Sequence, residues 1–244
     1  DFPVNKELMD KGEKLQLIAN YAVGYNNIDV AYALEKGLTV ANTPGPTTDP
    51  TANIALALLL DTARRVTECD RKLRASGANM KVGVLENLGM RVTGATLGII
   101  GMGRIGKALC KRARACGMDV IYHNRRQLDL NEETKTGAVY VTMDELLEQS
   151  DFVSVNAPYS SDTHHIIDKE ALKKMKWTAI LINTSRGPLV DEKALIEALR
   201  TGEIYGAGLD VFEFGDHPSP ELLEMDNVVL TPHIGTQTTY SRIA

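Results

Sequence analysis

From Thr96 onward, the 244-residue chain alternates short apolar runs with amphipathic helical patterns. The apolar runs are TLGII, MDVIY, AVY, DFVSV, AILIN, GAGL and NVVL, and helical patterns at 105–116, 143–149, 169–175 and 191–200 lie among them. Near-continuous apolar strands that alternate with helices indicate a parallel sheet buried on both faces. This alternation predicts a doubly wound α/β fold.

A shorter α/β pattern precedes this region. It consists of strand-like segments at 17–21 and 39–42, with a helical pattern at 29–35 between them. The loop TPGPTTDP then interrupts the chain, and its Pro and Gly residues predict a boundary between two units. The helix-like NKELMDKG near the start has no strand before it, and TTYSRIA at the end begins a helix. We therefore expect parts of the smaller unit to lie outside this sequence.

The helix predicted at 51–66 follows that loop and is rich in apolar residues. A helix with one face in solvent would carry fewer of them. We therefore expect this helix to pack across domains or subunits, and we expect a homodimer.

The composition excludes several classes of function. The chain is 43% hydrophobic and 24% charged, with a formal net charge of -5, so it can bury a core but offers no basic surface for nucleic acid. IALALLL at 54–60 is too short to cross a bilayer, and no signal-peptide pattern opens the chain. Three cysteines without CxxC spacing indicate reduced thiols. We expect a cytoplasmic protein with small-molecule partners and no membrane or nucleic-acid partner.

A glycine-rich loop joins the first strand of the larger unit to the helix that follows. The segment TLGIIGMGRIGKAL places Gly101, Gly103 and Gly106 in GxGxxG spacing. Gly101 would allow a tight turn, Gly103 a close approach to a pyrophosphate, and Gly106 the contact of helix with strand. The helix N-terminus would offer unpaired N–H groups to the phosphates. The segment therefore predicts dinucleotide binding.

The end of the second strand bears on which dinucleotide is bound. The strand ends in VIYHNRRQ, and Asn124 stands where an NAD-binding domain carries an acidic residue for the ribose hydroxyls. Arg125 and Arg126 follow, and charge-assisted hydrogen bonds to a 2′-phosphate contribute about 1.5–3 kcal/mol each. We predict NADP(H) as the cofactor. The alternative is an exposed arginine pair with NAD still bound.

Three more segments follow or close predicted strands, at the carboxyl edge of the sheet where open α/β folds bind ligands. They are INTSRGPLVDEKAL at 182–195, GLDVFE at 208–213 and TPHIG at 231–235. Together with GMGRIG, they resemble the D-isomer-specific 2-hydroxyacid dehydrogenase family. Within it the chain is most similar to the glyoxylate and hydroxypyruvate reductase or 2-ketogluconate reductase group, which YHNRR resembles. The resemblance extends from IANYAVGYNNID to the last residue.

This resemblance implies an architecture and an activity. Residues 1–44 would be part of a smaller, flavodoxin-like α/β substrate domain, and 45–232 the dinucleotide-binding Rossmann domain. Residues 233–244 would begin a helix that returns to the substrate domain. The implied activity is the reduction of a small 2-oxo acid, such as glyoxylate, hydroxypyruvate or 2-ketogluconate, to a D-2-hydroxy acid, and the arginine pair predicts a preference for NADP(H) with NAD possible. The family also forms homodimers.

Residue roles follow from the resemblance and from the chemistry. Arg186 fits the group that binds and polarises the 2-oxo acid, because a guanidinium can grip a carboxylate in fork geometry. His233 fits the acid that protonates the carbonyl oxygen. The family implies that backbone N–H groups near Val23 and Gly24 hold the substrate carboxylate, and that Asp210 contacts the nicotinamide carboxamide.

The family further implies that Thr184 and Ser185 line the nicotinamide pocket, and that Ala157 and Pro158 cover the adenosine with Thr163 nearby. The predicted cofactor contacts are Gly101, Gly103, Arg104, Ile105, Gly106, Asn124, Arg125, Arg126, Ala157, Pro158, Thr163, Thr184, Ser185, Arg186, Asp210, His233 and Gly235. His164 and His165 have no partner of metal-ligand type in the sequence pattern. We expect them to be surface residues and predict no metal site.

One position departs from the family pattern. The family carries a glutamate, paired with the catalytic histidine, five residues after the aspartate of LDVFE, usually in a string like FEFEP; this chain reads FEFGDHP, with Gly215 at that position. An adjacent carboxylate normally favours the protonated histidine and fixes its tautomer. Asp216 could substitute as a catalytic residue, whereas Glu213 fits less well. The alternatives are an impaired enzyme, or a noncatalytic relative that senses nucleotides and binds a partner.

Overall fold

The computed structural model describes residues 2–80, 83–215 and 217–243. The strands are β1 (Leu17–Ala19), β2 (Thr39–Ala41), β3 (Thr96–Ile100), β4 (Asp119–His123), β5 (Val139–Tyr140), β6 (Phe152–Val155), β7 (Ile180–Asn183), β8 (Gly206–Leu209) and β9 (Val228–Leu230). The helices are α1 (Lys6–Lys11), α2 (Val30–Glu35), α3 (Thr48–Arg64), α4 (Val66–Ala75), α5 (Arg104–Ala115), α6 (Leu130–Thr136), α7 (Met143–Gln149), α8 (Lys169–Lys174), α9 (Glu192–Thr201), α10 (Pro220–Leu223) and α11 (Thr239–Ile243). Short 3-10 turns lie at Ser161–Thr163 and Gly187–Leu189.

The larger sheet has seven parallel strands in the order β5-β4-β3-β6-β7-β8-β9. Strands are added first on one side of β3 and then, from β6 onward, on the other. This reversal creates the switch point where open α/β sheets bind their ligands. The predicted doubly wound fold is confirmed.

Two hydrophobic clusters fill the opposite faces of this sheet. Leu181 of β7 packs with residues of α7, α8 and α9 on one face. Its neighbours Ile180 and Ile182 pack with residues of α3 and α5 on the other face. Because successive side chains of a strand point to opposite faces, a sheet covered on both sides needs apolar residues at every position. This explains the continuous apolar runs.

Helix α3 packs within the chain. It contacts α5 and strands β7, β8 and β9, so the apolar face that we expected to reach another domain or subunit covers the chain's own seven-stranded sheet. The helix ends at Arg64, because Arg65 adopts a left-handed conformation with φ of 58°. The sequence pattern missed α4, which starts at Val66, because its charged sequence VTECDRKLRA lacks a broad apolar face.

The smaller unit has its own sheet and core. Strands β1 and β2 pair in parallel, and a separate cluster of buried residues joins them to α1 and α2, namely Met9, Ile18, Ile28, Ala33 and Leu38. The Tyr21 hydroxyl donates a hydrogen bond to the Arg242 carbonyl at 3.0 Å, which links this unit to α11. The residue boundaries of the two domains stay a prediction. Among the residues that the structure describes, no helix combines the length and the apolar character needed to span a membrane.

Candidate active site

A cleft of about 830 Å³ lies between the smaller unit and the carboxyl edge of the seven-stranded sheet. Its size falls in the range of small-molecule sites, roughly 300–1,000 Å³. Segments far apart in sequence line it, including 21–26, 103–105, 156–159, 184–186 and 235–237. The predicted site residues among its lining are Val23, Gly24, Gly103, Arg104, Ile105, Ala157, Pro158, Thr184, Ser185, Arg186, Asp210, His233 and Gly235.

The three glycines of the GMGRIG loop have different surroundings. Gly101 has a φ of 99°, and a Cβ there would lie 2.6 Å from the backbone nitrogen of Ala157. A Cβ at Gly106 would overlap the Gly101 carbonyl oxygen. A Cβ at Gly103, the N-cap of α5, would meet no atom within 4 Å. Gly101 and Gly106 therefore allow close packing of the loop, while Gly103 leaves open space in front of the helix N-terminus, where a phosphate can approach.

Six predicted cofactor residues are not among those that line the cleft, namely Gly101, Gly106, Asn124, Arg125, Arg126 and Thr163. The Asn124 side-chain oxygen accepts a hydrogen bond from the Met102 N–H at 2.7 Å, so Asn124 braces the glycine-rich loop. Arg125 and Arg126 are exposed at the end of β4. The Thr163 hydroxyl donates to the Pro158 carbonyl at 2.9 Å and so holds the loop that follows β6.

Three buried side-chain atoms in the cleft have no hydrogen-bond partner among the described residues: Thr47 Oγ1, Asn156 Oδ1 and Thr184 Oγ1. Buried polar atoms normally find a partner, so a group of unpaired ones in one cleft indicates a polar ligand. Hydroxyl and amide groups of this kind suit the amide, hydroxyls and phosphates of a dinucleotide. Sequence reasoning missed Thr47 and Asn156, since only the fold shows that they face one cleft.

Arg186 brings a positive charge into the cleft. The side chain is half-buried, and this burial lowers the pKa of its guanidinium, although arginine stays protonated throughout the physiological range. Its Nε donates to the Asn26 side-chain oxygen at 3.2 Å and its Nη1 to the Ser185 carbonyl at 2.7 Å. Both partners are neutral, and no carboxylate of the described residues pairs with it. A cation removed from water without a counter-ion favours an anionic ligand.

Local hydrogen bonds fix the loop that carries Arg186. Asn183, at the end of β7, donates from its amide to the Arg186 carbonyl at 2.9 Å and accepts from the Ser185 N–H at 3.0 Å. The Ser185 hydroxyl donates to the Ala157 carbonyl at 2.6 Å, which joins this loop to the loop after β6. Sequence reasoning did not single out Asn26 or Asn183. Both residues lie within segments that carry the family resemblance, IANYAVGYNNID and INTSRGPLVDEKAL.

His233 lies on the cleft in the loop after β9, and its φ of 53° is left-handed. The almost fully buried Asp210 anchors that loop. Its Oδ1 accepts from the Thr231 hydroxyl at 2.6 Å and from the Ile234 N–H at 2.8 Å, and its Oδ2 accepts from the Gly235 N–H at 2.8 Å. Asp210 therefore holds the side chain of Thr231 before the histidine and the backbone of Ile234 and Gly235 after it. Its predicted contact with the nicotinamide carboxamide stays a prediction.

Glu213 and Asp216 are the two carboxylates that the sequence offers as partners for His233, and the structure describes only Glu213. Glu213 Oε1 accepts a hydrogen bond from His165 Nε2 at 2.5 Å, and its Oε2 accepts from the Glu192 N–H at 2.9 Å. The expectation that His165 lacks a metal-ligand type of partner is therefore wrong, because the fold brings Glu213 to it across 48 residues. Gly215 has a φ of 120° and open space around it. Asp216 lies outside the described residues, so its predicted catalytic role stays a prediction.

Comparison with known proteins identifies the family. The model of the D-isomer specific 2-hydroxyacid dehydrogenase NAD-binding domain matches residues 56–235. The glyoxylate reductase of Thermococcus litoralis is 51% identical over 243 residues, which cover 98% of this chain and 73% of that protein. The chain belongs to this family. As a D-2-hydroxyacid dehydrogenase it is an NAD(P)-dependent oxidoreductase, and the resemblance seen in the sequence motifs is confirmed.

Solved structures of D-2-hydroxyacid dehydrogenases share the fold. A glyoxylate reductase from Paecilomyes thermophila superposes with a TM-score of 0.91 at 40% identity, over 99% of this chain and 72% of that one. An NADPH-dependent glyoxylate/hydroxypyruvate reductase from Sinorhizobium meliloti, in complex with NADP and malonate, gives a TM-score of 0.88 at 33% identity, over 99% and 74% of the chains. The chain thus spans about three quarters of these relatives' length.

Proposed function

We propose that this D-2-hydroxyacid dehydrogenase reduces small 2-oxo acids to D-2-hydroxy acids and prefers NADPH as the reductant. The observation that carries the proposal is the half-buried Arg186 guanidinium, which has only neutral partners among the described residues and shares its cleft with His233. A small carboxylate is the ligand that such a cation favours.

In this proposal Arg186 binds the substrate carboxylate and polarises the adjacent carbonyl group. Backbone N–H groups near Val23 and Gly24 hold the same carboxylate from the smaller unit. His233 donates a proton to the carbonyl oxygen as negative charge develops there. NADPH, when bound, supplies the hydride that C2 of the substrate accepts. One hydride and one proton together convert the ketone to the alcohol.

The preference for NADPH rests on the end of β4. Asn124 offers no carboxylate to repel a 2′-phosphate, and the exposed Arg125 and Arg126 provide two cations next to it. The Sinorhizobium meliloti reductase with a similar fold is described as NADPH-dependent. Equilibrium titration followed by protein fluorescence should show tighter binding of NADPH than of NADH, and Arg125→Ala should narrow the difference. Equal affinities in the unmodified protein would refute the preference.

For the substrate we propose glyoxylate, with hydroxypyruvate and 2-ketogluconate as the other candidates. The glyoxylate reductase of Thermococcus litoralis, at 51% identity, supports glyoxylate. A cleft of about 830 Å³ leaves room for a small 2-oxo acid beside a dinucleotide. The roles of the individual site residues and the division into a substrate domain at 1–44, a dinucleotide-binding domain at 45–232 and a return segment at 233–244 are part of this proposal.

The test compares binding with turnover. NADPH is mixed with the protein and each 2-oxo acid, and loss of its near-ultraviolet absorbance is followed; NADPH affinity is measured on the same sample. We expect turnover with at least one of the three acids. Tight NADPH binding without any turnover would favour the noncatalytic sensor instead.

We also propose a homodimer. Because α3 is buried against its own sheet, the support comes from exposed apolar side chains after it. Val66 is 57% exposed, Val84 94%, Leu85 81% and Leu88 60%. Three of these exposed apolar residues lie within the short segment 84–88, and clusters of exposed apolar side chains are typical of interfaces. Multi-angle light scattering should give the mass of two chains, and Leu85→Lys should reduce it to that of one. The mass of one chain for the unmodified protein would reject the dimer.

A further inference from the structure

A cluster of two histidines and one glutamate lies outside the catalytic cleft. His164, His165 and Glu213 each place one possible ligand atom within 4.8 Å of the others. The His164 and His165 rings are stacked with centroids 3.9 Å apart. We propose that these three residues form a binding site for a divalent late transition-metal ion of the Zn²⁺ type.

The ligand set fits this class of ion. Imidazole nitrogen and carboxylate oxygen are ordinary ligands of Zn²⁺, which binds them at about 2.0–2.2 Å. In the tetrahedral geometry of Zn²⁺ sites, two such ligand atoms lie about 3.4 Å apart, so atoms that are up to 4.8 Å apart here must approach each other by about 1–1.5 Å. The exposed His164 ring can make that adjustment by rotation about its side-chain bonds. Two imidazoles and one carboxylate leave room for water in the remaining coordination positions.

The backbone holds the two histidines in an uncommon arrangement. His165 has a φ of 50°, a left-handed conformation that is unfavourable for a residue with a Cβ. Its N–H donates to the Pro188 carbonyl at 2.9 Å, so the conformation is fixed by the neighbouring loop. This turn puts consecutive side chains, which diverge in extended or helical backbone, on the same side. It thereby presents two imidazoles together toward Glu213.

Burial and hydrogen bonds hold the Glu213 side chain in a position to act as the third ligand. Its side chain is only 11% exposed, and its position is set by two reciprocal contacts with Glu192. Glu213 Oε2 accepts from the Glu192 N–H, and Glu192 Oε2 accepts from the Glu213 N–H, both at 2.9 Å. Oε1 remains directed at His165. A supporting shell of this kind orients a metal-ligating carboxylate.

A metal ion here would connect two structural parts of the active site. His164 and His165 lie in the loop between β6 and α8, and the same loop places Ala157 and Pro158 on the cleft. Glu213 begins the turn that contains Gly215. The ion would therefore tie the wall of the cleft to this turn, where the family carries its catalytic glutamate. It would act as a structural clamp rather than in the chemical step.

The test is a titration of the metal-free protein with Co²⁺, a spectroscopic substitute for Zn²⁺, without any cofactor or substrate. We expect a visible d–d spectrum that saturates at one ion per chain, without thiolate charge-transfer bands from the cysteines. His164→Ala, which alters an exposed side chain, and Glu213→Gln, which keeps the side-chain shape, should each weaken binding at least about tenfold. His217→Ala, a nearby exposed histidine outside the cluster, should leave it unchanged.

Zn²⁺ should also raise the Tm of the unmodified protein and of His217→Ala more than that of His164→Ala, because an ion that binds only the folded state stabilises it in proportion to the logarithm of its affinity. Lack of a saturating Co²⁺ spectrum would overturn the site. So would equal Co²⁺ affinity in the unmodified protein, His164→Ala and Glu213→Gln. Because NADPH and 2-oxo acids are left out, these outcomes do not depend on the proposed reductase activity.

Discussion

Gly24 lies against the guanidinium of Arg186, so closely that a Cβ at Gly24 would overlap the Arg186 Nη2 atom. Gly24 belongs to the smaller unit and Arg186 follows a strand of the seven-stranded sheet. The contact therefore joins the two sides of the cleft at the group that we propose for substrate binding. The obstructed atom is the far end of a flexible side chain, so a larger residue at 24 would displace the guanidinium without disrupting the fold.

Gly24→Ala should therefore raise KM for the 2-oxo acid by roughly tenfold or more, as expected when a hydrogen bond to a charged group is lost. The affinity for NADPH and the Tm should change little. The matched control is Gly45→Ala, at an exposed glycine where a Cβ would meet no atom within 4 Å. Steady-state kinetics should be used to measure KM for the 2-oxo acid in both variants. An unchanged KM in Gly24→Ala would argue against a role for Arg186 in substrate binding.

Asp210→Asn should weaken the loop that carries His233. An amide replaces one carboxylate oxygen, so at least one of the three N–H or O–H donors loses its acceptor. The loss should cost about 1–3 kcal/mol and lower Tm by roughly 2–4 °C per kcal/mol, together with kcat. Thr231→Val removes only one of these hydrogen bonds and should have a smaller effect on Tm and on kcat. Equal Tm values for all three proteins would show that Asp210 does not hold the loop.

Gly215→Glu should increase kcat and move the alkaline limb of the pH–rate profile to higher pH. A carboxylate added there could stabilise the protonated form of His233, and a Cβ has open space. The φ of 120° at Gly215 is unfavourable for any residue with a Cβ, so a stability cost of about 1–3 kcal/mol is also expected. Gly215→Gln carries the same strain without the charge. If both variants have the same profile as the unmodified protein, another group already serves the histidine.

The junction between α3 and α4 should make the stability of the protein dependent on pH. Arg65 donates two hydrogen bonds to Glu68, at 2.7 and 2.6 Å, and Lys72 donates one. The Arg65 guanidinium, with help from Lys72, lowers the pKa of Glu68 to about 2 from its ordinary 4.5. A pKa lowered in the folded state stabilises the fold above the ordinary pKa, and this contribution is lost as the pH falls from 4.5 toward 2.

Glu68→Gln should therefore lower the free energy of unfolding by about 1–3 kcal/mol at pH 7, and the difference from the unmodified protein should shrink on acidification toward pH 3. Glu7→Gln breaks an exposed pair with Lys11 and should have almost no effect. Urea unfolding at pH 7 and pH 3 measures the free energy of unfolding of both variants and of the unmodified protein. A difference that stays constant across that range would contradict the assignment.

Local patterns in the sequence were enough to predict the sheet and the glycine-rich loop. The strands are continuous apolar runs because both faces of the sheet are covered, and such runs are visible without any knowledge of the fold. Helix α4 was missed because its charged sequence, VTECDRKLRA, offers no clear apolar periodicity.

Contacts between distant segments could not be predicted in the same way. The approach of Glu213 to His165 depends on the relative placement of the turn after β8 and the loop after β6. The unpaired atoms of Thr47, Asn156 and Thr184 become informative only when three loops meet at one cleft. Motif resemblance named Arg186 and His233, but it could not show that the guanidinium has only neutral partners among the described residues.

The most direct test of the proposed chemistry is the steady-state reduction of glyoxylate by NADPH with Arg186→Gln and the unmodified protein. Gln keeps much of the side-chain length but removes the charge and the fork geometry. We predict that kcat/KM falls at least about a hundredfold, as for removal of a group that stabilises developing negative charge, while the affinity for NADPH stays within about threefold. An Arg186→Gln protein that reduces glyoxylate with unchanged kcat/KM would contradict the account.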